Sequence, residues 1–155
     1  MLGELGPDYL IVATARQYQG TVEDPPNSNS GTLIDGWLAY VHQPPGVSWC
    51  SGFACSMVHE SRVALGLPAL QFKISASALH LLAINEALKT EDPQAGDLII
   101  FDHGHGLGHV AIKTGPSTSI AGNTSPDGKS RQGTGVYEHA YDVNDPKIAG
   151  YIRVA

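Results

Sequence analysis

The sequence is poor in charged residues, has few cysteines and lacks long apolar runs, and each scarcity excludes a class of protein. Only 15% of its 155 residues are charged against 42% hydrophobic, which excludes a disordered chain and fits a single globular domain over 1–155. No apolar run approaches the roughly 18 residues that a membrane-spanning helix needs. Residues 1–8 lack the basic region of a signal peptide, so we expect neither a membrane partner nor a secretory leader in this sequence.

Basic residues are also scarce, which limits the classes of partner. Lys and Arg total 9 against 15 Asp and Glu, giving a net charge of -6, and the basic residues form no cluster. Nucleic acids and anionic surfaces attract proteins through clustered basic charge, so neither is expected as a primary partner. We expect a monomer that needs no cofactor.

The two cysteines, Cys50 and Cys55, are not expected to form a disulfide. Apolar residues at helical spacing from Phe53 to Leu65 predict one helix of about 16 residues that contains both cysteines. Their Cα atoms would then stand roughly 8 to 9 Å apart on different faces of the helix, beyond the reach of a disulfide.

Helical patterns fill the first part of the chain and strand patterns the second. Four helices are predicted, over 8–19, around 33–41, from Cys50 onward and over about 75–88. After Pro93 and Gly96 short apolar runs separated by glycine-rich turns predict strands at 98–101, 109–113, 118–121, 135–141 and 148–154. This order predicts an α+β fold, in which an N-terminal helical subdomain packs on a C-terminal antiparallel sheet of about five strands.

Cys50 is the candidate nucleophile because it lies where a loop rich in proline and glycine meets a helix. Pro44 and Pro45 prevent a helix from running through that loop, which puts Cys50 at the N-terminus of the next helix. Unpaired N–H groups and the positive end of the helix dipole favour a thiolate there, so we expect a lowered pKa. A free cysteine is also among the most buried residue types, which leaves a structural role as the alternative.

Three histidines crowd the stretch 102–110 and support two interpretations. His103, His105 and His109 could together hold zinc, since imidazole is the commonest zinc ligand. No HExxH or paired CxxC spacing accompanies them, and the glycines between them leave the rings without support. Alternatively, His109 opens an apolar strand while the other two lie in the preceding loop, and a histidine held at a strand start can act as a general base.

A base needs an orienting partner, and Asn123 is the first candidate. It ends the strand that would pair with the His109 strand as a hairpin, so its amide could accept from the imidazole N–H and leave the other nitrogen for Cys50. The sequence around Asn123 is also typical of a plain turn. The acidic alternatives are Glu23, Asp102 and Glu138.

These residues resemble a known family. Ser48-Trp49-Cys50 followed by Ser-Gly-Phe resembles the nucleophile motif of CHAP-type cysteine peptidases and amidases, within the papain-like, NlpC/P60-like group. Residues 96–101 and 108–112 look like that family's paired strands, the second opening with the catalytic histidine. The segments similar to its remaining parts are 22–23, 122–124, 135–137 and 150–154, so the resemblance covers nearly the whole chain.

The resemblance implies a papain-like fold and cleavage of an amide bond in peptidoglycan, within the stem peptide or cross-bridge or at the sugar–peptide junction. It implies Cys50 as nucleophile, His109 as base and Asn123 as third member. Many relatives carry an acid two positions before the asparagine, where this chain has Ala121, so orientation of His109 falls on Asn123 or on an acid from elsewhere.

Substrate contacts are expected from Ser48, Trp49 and His105. The oxyanion hole would combine the Cys50 N–H with one upstream donor, either Ser48 or Gln43.

Two rival functions and several settings stay open at this point. The rivals are a zinc-dependent hydrolase using the three histidines of 102–110 and a non-catalytic module that binds the cell wall. The chain could be a phage endolysin or tail-associated lysin, a contact-delivered antibacterial effector, or part of a longer wall enzyme, acting in the periplasm or outside the cell. Because bacterial walls are largely anionic and the chain is acidic, the expected partners besides peptidoglycan are a targeting module, an immunity protein, or a secretion or phage apparatus.

Overall fold

Four helices precede six strands in the computed structural model, which describes residues 7–68, 71–128 and 133–154. The helices of this part of the chain are α1 Pro7–Gln17, α2 Thr32–Tyr40, α3 Cys50–Ala64 and α4 Ala78–Ile84, and a 3-10 turn at Glu86–Leu88 follows α4. The strands are β1 Lys89–Thr90, β2 Leu98–Gly104, β3 Leu107–Gly115, β4 Thr118–Thr124, β5 Gly135–Ala140 and β6 Ile148–Ile152. Residues 1–6, on which most of the signal-peptide expectation rests, lie outside the described ranges.

The strands form one sheet in the order β1-β6-β2-β3-β4-β5, and every pairing is antiparallel. The expected α+β class, with helices before an antiparallel sheet, is therefore confirmed. The sheet has a sixth strand because Lys89 and Thr90 pair with the end of β6, and two residues are too short for an alternation pattern to reveal. None of the helices in the described ranges has the length and apolar character to cross a bilayer.

The predicted helix over about 75–88 is divided at Asn85. Ser77 caps α4 by accepting from the His80 N–H at 3.2 Å. At the other end the Asn85 amide donates to the Leu81 and Lys73 carbonyls, both at 2.9 Å, and accepts from the Lys73 N–H. These side-chain bonds compete with the helical ladder, so the chain continues as a short 3-10 turn.

The hairpin between β2 and β3 is tighter than its sequence predicts. His105 and Gly106 form a two-residue turn with φ angles of 56° and 75°, and positive φ at both positions matches the right-handed twist of paired strands. Both strands therefore extend further than 98–101 and 109–113. His103, expected in a loop, lies within β2, because the glycines around it allow the tight turn.

One face of the sheet carries the core that the helices cover. The buried aliphatic side chains of this face are Leu98, Ile100, Val110, Ile112 and Ile120, and they share one cluster with Phe53, Ala54 and Met57 of α3. Residues that alternate with them, such as Ile99 and Ala111, are buried on the opposite face.

Two glycines allow α3 to begin in close contact with its neighbours. A Cβ atom on Gly52 would lie 2.7 Å from the Trp37 carbonyl oxygen of α2. A Cβ atom on Gly122 of β4 would lie 2.7 Å from both the Phe53 Cβ and the Trp49 Cζ3. The first turn of α3 is thus packed against backbone on both sides, at distances that a side chain would prevent.

Replacing Gly122 with alanine should destabilise the protein by about 1 to 3 kcal/mol, because the added methyl group overlaps Phe53 and Trp49. Gly36→Ala in α2 is the matched control: nothing lies within 4 Å of its added Cβ. That variant should gain about 0.5 to 1 kcal/mol from the better helix propensity of alanine. Urea unfolding measures both changes, and equal stability of the two variants would contradict the close contact between α3 and β4.

Candidate active site

Cys50 is the first residue of α3, as the proline-rich loop before it predicts. The helical hydrogen-bond ladder begins with the Phe53 N–H, which donates to the Trp49 carbonyl at 2.9 Å. The N–H groups of Cys50, Ser51 and Gly52 precede that ladder and point toward the N-terminal end of the helix. This end of α3 therefore offers several main-chain donors close to the thiol.

The thiol meets β3 where that strand has separated from β4. The register of β3 with β4 runs only from Ile112–Ile120 to Gly115–Thr118. Nearer the start of β3, the main chain of Val110 instead interacts with the Cys50 sulfur and lowers the pKa of the thiol. The peptide group concerned joins Val110 to His109, so the structure brings the candidate nucleophile next to the backbone that carries the candidate base.

Burial nevertheless dominates the ionisation of Cys50. The side chain is only 5% exposed, and this burial raises the pKa of the thiol above its ordinary value. The Val110 main chain and the hydroxyls of Ser51 and Ser48 oppose the rise without cancelling it. Ser51 Oγ is buried and forms no hydrogen bond of ordinary geometry among the described residues, so it acts as a nearby dipole. The expectation of a lowered pKa is therefore wrong for the resting protein, because the sheet covers the helix start and excludes water from it.

Cys55 lies further along the same helix and is almost fully buried. Both cysteines are free thiols. The Cys55 thiol donates to the Ser75 carbonyl at 3.9 Å, and burial raises its pKa to about 12. Cys55 therefore has the properties of a core residue, which makes it a natural control for Cys50.

His109 lies on β3 with 8% of its surface exposed. Its ring packs against the Phe101 ring across the β2–β3 pair, with centroids 6.2 Å apart. His109 and Ala111 line a groove of about 830 Å³ that also includes His139 and Tyr141 and that we call the histidine groove. Cys50 is not among the described residues that line it.

The other two histidines of this stretch lie apart from one another. The His103 ring stacks on Phe101 with centroids 6.4 Å apart, whereas His105 is exposed at the tip of the β2–β3 turn. Within the described ranges, no group of three or more His, Cys, Asp or Glu residues is arranged to hold a metal ion. The geometry thus gives no support to a zinc site built from His103, His105 and His109.

Asn123 lies near the start of α3, but it contacts a different residue from the one expected. The pairing of β4 with β5 carries one extra residue between Ala121 and Thr124, and Asn123 in this bulge has a φ of 55°. A bulge redirects side chains, and here the Asn123 Nδ2 donates to Ser48 Oγ at 2.9 Å. The Asn123 Oδ1 is buried and makes no hydrogen bond among the described residues. The expected acceptance of an imidazole N–H by Asn123 is therefore not formed in this structure.

The three acidic alternatives each take part in hydrogen bonds elsewhere. Glu23 is buried and accepts from the Trp49 indole N–H at 2.9 Å. Asp102 accepts from the Gly104 N–H at 2.8 Å beside the hairpin turn. Glu138 accepts two hydrogen bonds of 2.9 Å from the Arg16 guanidinium, which lowers the pKa of that carboxyl. Of the three, Glu23 alone contacts a residue next to Cys50.

The residues expected to contact the substrate or the oxyanion differ in their exposure. Trp49 is fully buried, stacks on Trp37 with centroids 5.8 Å apart, and has no surface to offer a substrate. It serves to anchor the start of α3. Ser48 and His105 are exposed, and their contact with a substrate stays a prediction. Gln43 is half-buried just after α2, where its N–H donates to the Leu38 carbonyl at 2.9 Å.

Sequence reasoning missed two parts of the site. The Val110 main chain has no sequence signal, because every residue except proline offers the same N–H. His139 and Tyr141, which line the histidine groove, lie in and just after β5, and the alternation of that strand could have placed them on one face. No protein-family model matches the chain, and no curated protein matches it.

The raised pKa of Cys50 makes a prediction about alkylation. Labelling by iodoacetamide requires the thiolate, so its rate for Cys50 should rise with a midpoint on the alkaline side of the value of about 8.5 for free cysteine. Cys55, whose pKa burial raises to about 12, should be labelled only at strongly alkaline pH. Peptide mass spectrometry across pH measures both midpoints, and rapid labelling of Cys50 at mildly acidic pH would contradict the prediction.

Proposed function

We propose that the chain is a cysteine-dependent amide hydrolase of the CHAP type, with a papain-like arrangement, and that it cleaves peptidoglycan. One observation carries the proposal: the Cys50 thiol, at the start of α3, interacts with the β3 peptide group that joins His109 to Val110. A thiol at a helix start beside a strand that carries a histidine supplies both the nucleophile and the base of such an enzyme. Helices on one face of an antiparallel sheet support the papain-like part of the proposal.

The raised pKa of Cys50 determines how the first step proceeds in this proposal. Because the resting thiol is protonated, His109 takes its proton as Sγ attacks the carbonyl carbon, as a general base does. The Cys50 N–H, which precedes the helical ladder, stabilises the oxyanion. The imidazolium then gives the proton to the departing amine, the C–N bond breaks, and a thioester remains on Cys50.

Hydrolysis of the thioester completes the cycle. Water attacks the thioester carbonyl while His109 accepts one of its protons, and the C–S bond breaks. The proton returns from His109 to the sulfur, which restores the thiol and releases a carboxylic acid. No external oxidant, reductant or metal ion is required by these steps.

The histidine groove fits the binding of an extended peptide. Its volume of about 830 Å³ runs along β2, β3 and β5, past the rings of Phe101 and Tyr141 and the side chain of Lys147. Aromatic rings provide apolar contact, while Lys147 and the carboxylates of Asp127, Asp142 and Asp145 provide charged groups of both signs for a stem peptide. With a net charge of -6 the domain gains no attraction to an anionic wall, so we propose that a fused module or a delivery apparatus brings it there.

One observation favours a second candidate, a wall-binding module without turnover. Cys50 is 5% exposed, and a buried thiol fits a structural role as well as a catalytic one. The two candidates differ in whether soluble fragments leave the wall. Sedimentation with purified sacculi, without release of amine or carboxylate groups, would favour binding alone.

Cys50→Ala and His109→Ala should each reduce the release of new amino groups from purified sacculi by at least about a thousandfold, because nucleophile and base act as a unit. Cys55→Ala controls for loss of a thiol from the same helix, and His105→Ala controls for loss of an imidazole near the same strand. Both controls should cost far less activity than Cys50→Ala and His109→Ala, and chelators should leave the activity intact.

Mass spectrometry of the released fragments identifies the cleaved bond. Full activity of Cys50→Ala would refute the proposal. Loss of activity on chelation, restored by zinc, would instead favour the metal-dependent rival.

A further inference from the structure

A chain of polar groups leads from β4 to the nucleophile without passing through His109. The Asn123 Nδ2 donates to Ser48 Oγ at 2.9 Å. Ser48 lies two residues before Cys50, and its hydroxyl dipole lowers the pKa of the Cys50 thiol, as that of Ser51 does. Since the serine oxygen is occupied as an acceptor from Asn123, its own proton is available for the sulfur.

The local backbone is shaped to make this contact. In regular alternation along β4, Asn123 would share the face of Ser119 and Ala121, away from the start of α3. The bulge with φ of 55° at Asn123 turns its side chain toward Ser48 instead. Asparagine adopts positive φ more readily than other residues with a side chain, which suits it to this bulge.

The orientation of the Asn123 amide determines whether the Ser48 hydroxyl keeps its proton for the sulfur. Its Oδ1, the atom that would accept from an imidazole, is buried and unpaired among the described residues, while its donor is used for Ser48. The reverse orientation would consume the Ser48 proton and leave the sulfur without that donor. The observed donation runs from the amide N–H to the hydroxyl, which leaves the hydroxyl proton for the neighbouring thiol.

Resting on the hydrolase proposed above, we propose that the third member of the machinery acts on the nucleophile and not on the base. Asn123 is a positioning residue that orients the Ser48 hydroxyl, and Ser48 is a catalytic residue whose proton faces the reacting sulfur. The hydroxyl stabilises negative charge on the sulfur as its proton passes to His109, and again when the thioester breaks. Hydrogen bonds to a charged acceptor are the stronger kind, so the gain is largest as charge develops.

Other titratable groups surround Cys50 and have to be held constant in a test. Among the described residues, Cys55 on α3 interacts with Cys50, Glu23 binds the Trp49 indole beside it, and His109 precedes Val110 on β3. Substitutions at Ser48 and Asn123 alter none of them directly.

The test measures the pH midpoint of Cys50 alkylation by iodoacetamide, with peptide mass spectrometry to separate it from Cys55. Ser48→Ala and Asn123→Ala should each move the midpoint to higher pH and slow labelling at fixed pH about tenfold. The double variant should match Ser48→Ala alone, because Asn123 acts only through the hydroxyl. Ser48→Thr, which keeps a hydroxyl, should stay close to the wild type.

Asn123→Asp separates the two possible roles of this position. A carboxylate has the same shape but only accepts, so it draws the Ser48 proton away from the sulfur. If Asn123 acts through the Ser48 hydroxyl on the sulfur, the pH midpoint of Cys50 alkylation should shift at least as far as in Asn123→Ala, with a matching loss of turnover. If residue 123 instead orients His109, the aspartate preserves turnover, and that result would overturn the proposal.

Additive effects of Ser48→Ala and Asn123→Ala, or an unchanged midpoint in Ser48→Ala, would also overturn it. Ser48 is exposed, so the Ser48→Ala result stands even if the Asn123 variants fail to fold, which circular dichroism and melting temperature check. Alkylation needs no substrate. If the wild type cleaves no peptidoglycan while the variants still shift the pH midpoint of Cys50 alkylation, the proposed function is contradicted. The action of Asn123 on the sulfur through Ser48 is then still supported.

Discussion

The start of α3 is packed into the place where β3 and β4 separate, and the candidate site depends on this contact. The β3–β4 ladder begins only at Ile112 and Ile120. The Val110 main chain is therefore not paired with β4 and interacts with the Cys50 sulfur instead. Gly122 has no side chain to keep Trp49 and Phe53 at a distance. The bulge that follows then turns Asn123 toward Ser48. A regular β4 would close this opening and separate the helix start from the strand that carries His109.

The same contact sets the chemistry of the thiol. Covering the helix start excludes water, and the cost of burying a charge exceeds the help from the nearby main-chain and hydroxyl dipoles, so the resting thiol is neutral. A neutral thiol resists oxidation by small oxidants, because these react with the thiolate. It acts as a nucleophile only when a base removes its proton during attack. In the enzyme that we propose, the thiol is therefore unreactive at rest and reacts only with a bound substrate. Groups that stabilise developing charge on the sulfur, such as the Ser48 hydroxyl, gain importance in such an arrangement.

Local rules account for most of what could be predicted from the sequence. Pro44 and Pro45 place the start of α3 at Cys50, and short apolar runs between glycines place five of the six strands. The α+β order follows from these elements alone. The features that escaped prediction depend on contacts between distant segments. The burial that raises the Cys50 pKa comes from the sheet, the burial of Trp49 depends on Trp37 and Glu23, and the direction of Asn123 depends on one extra residue between Ala121 and Thr124.

The central claim is that Cys50 forms a covalent intermediate at the start of α3. Intact-protein and peptide mass spectrometry after acid quenching, during turnover of soluble peptidoglycan fragments, tests it most directly. The account predicts an adduct on Cys50 whose mass equals the acyl portion of the cleaved peptide and which hydroxylamine removes, as it removes thioesters. Continued release of products from protein whose Cys50 has been fully alkylated would contradict it.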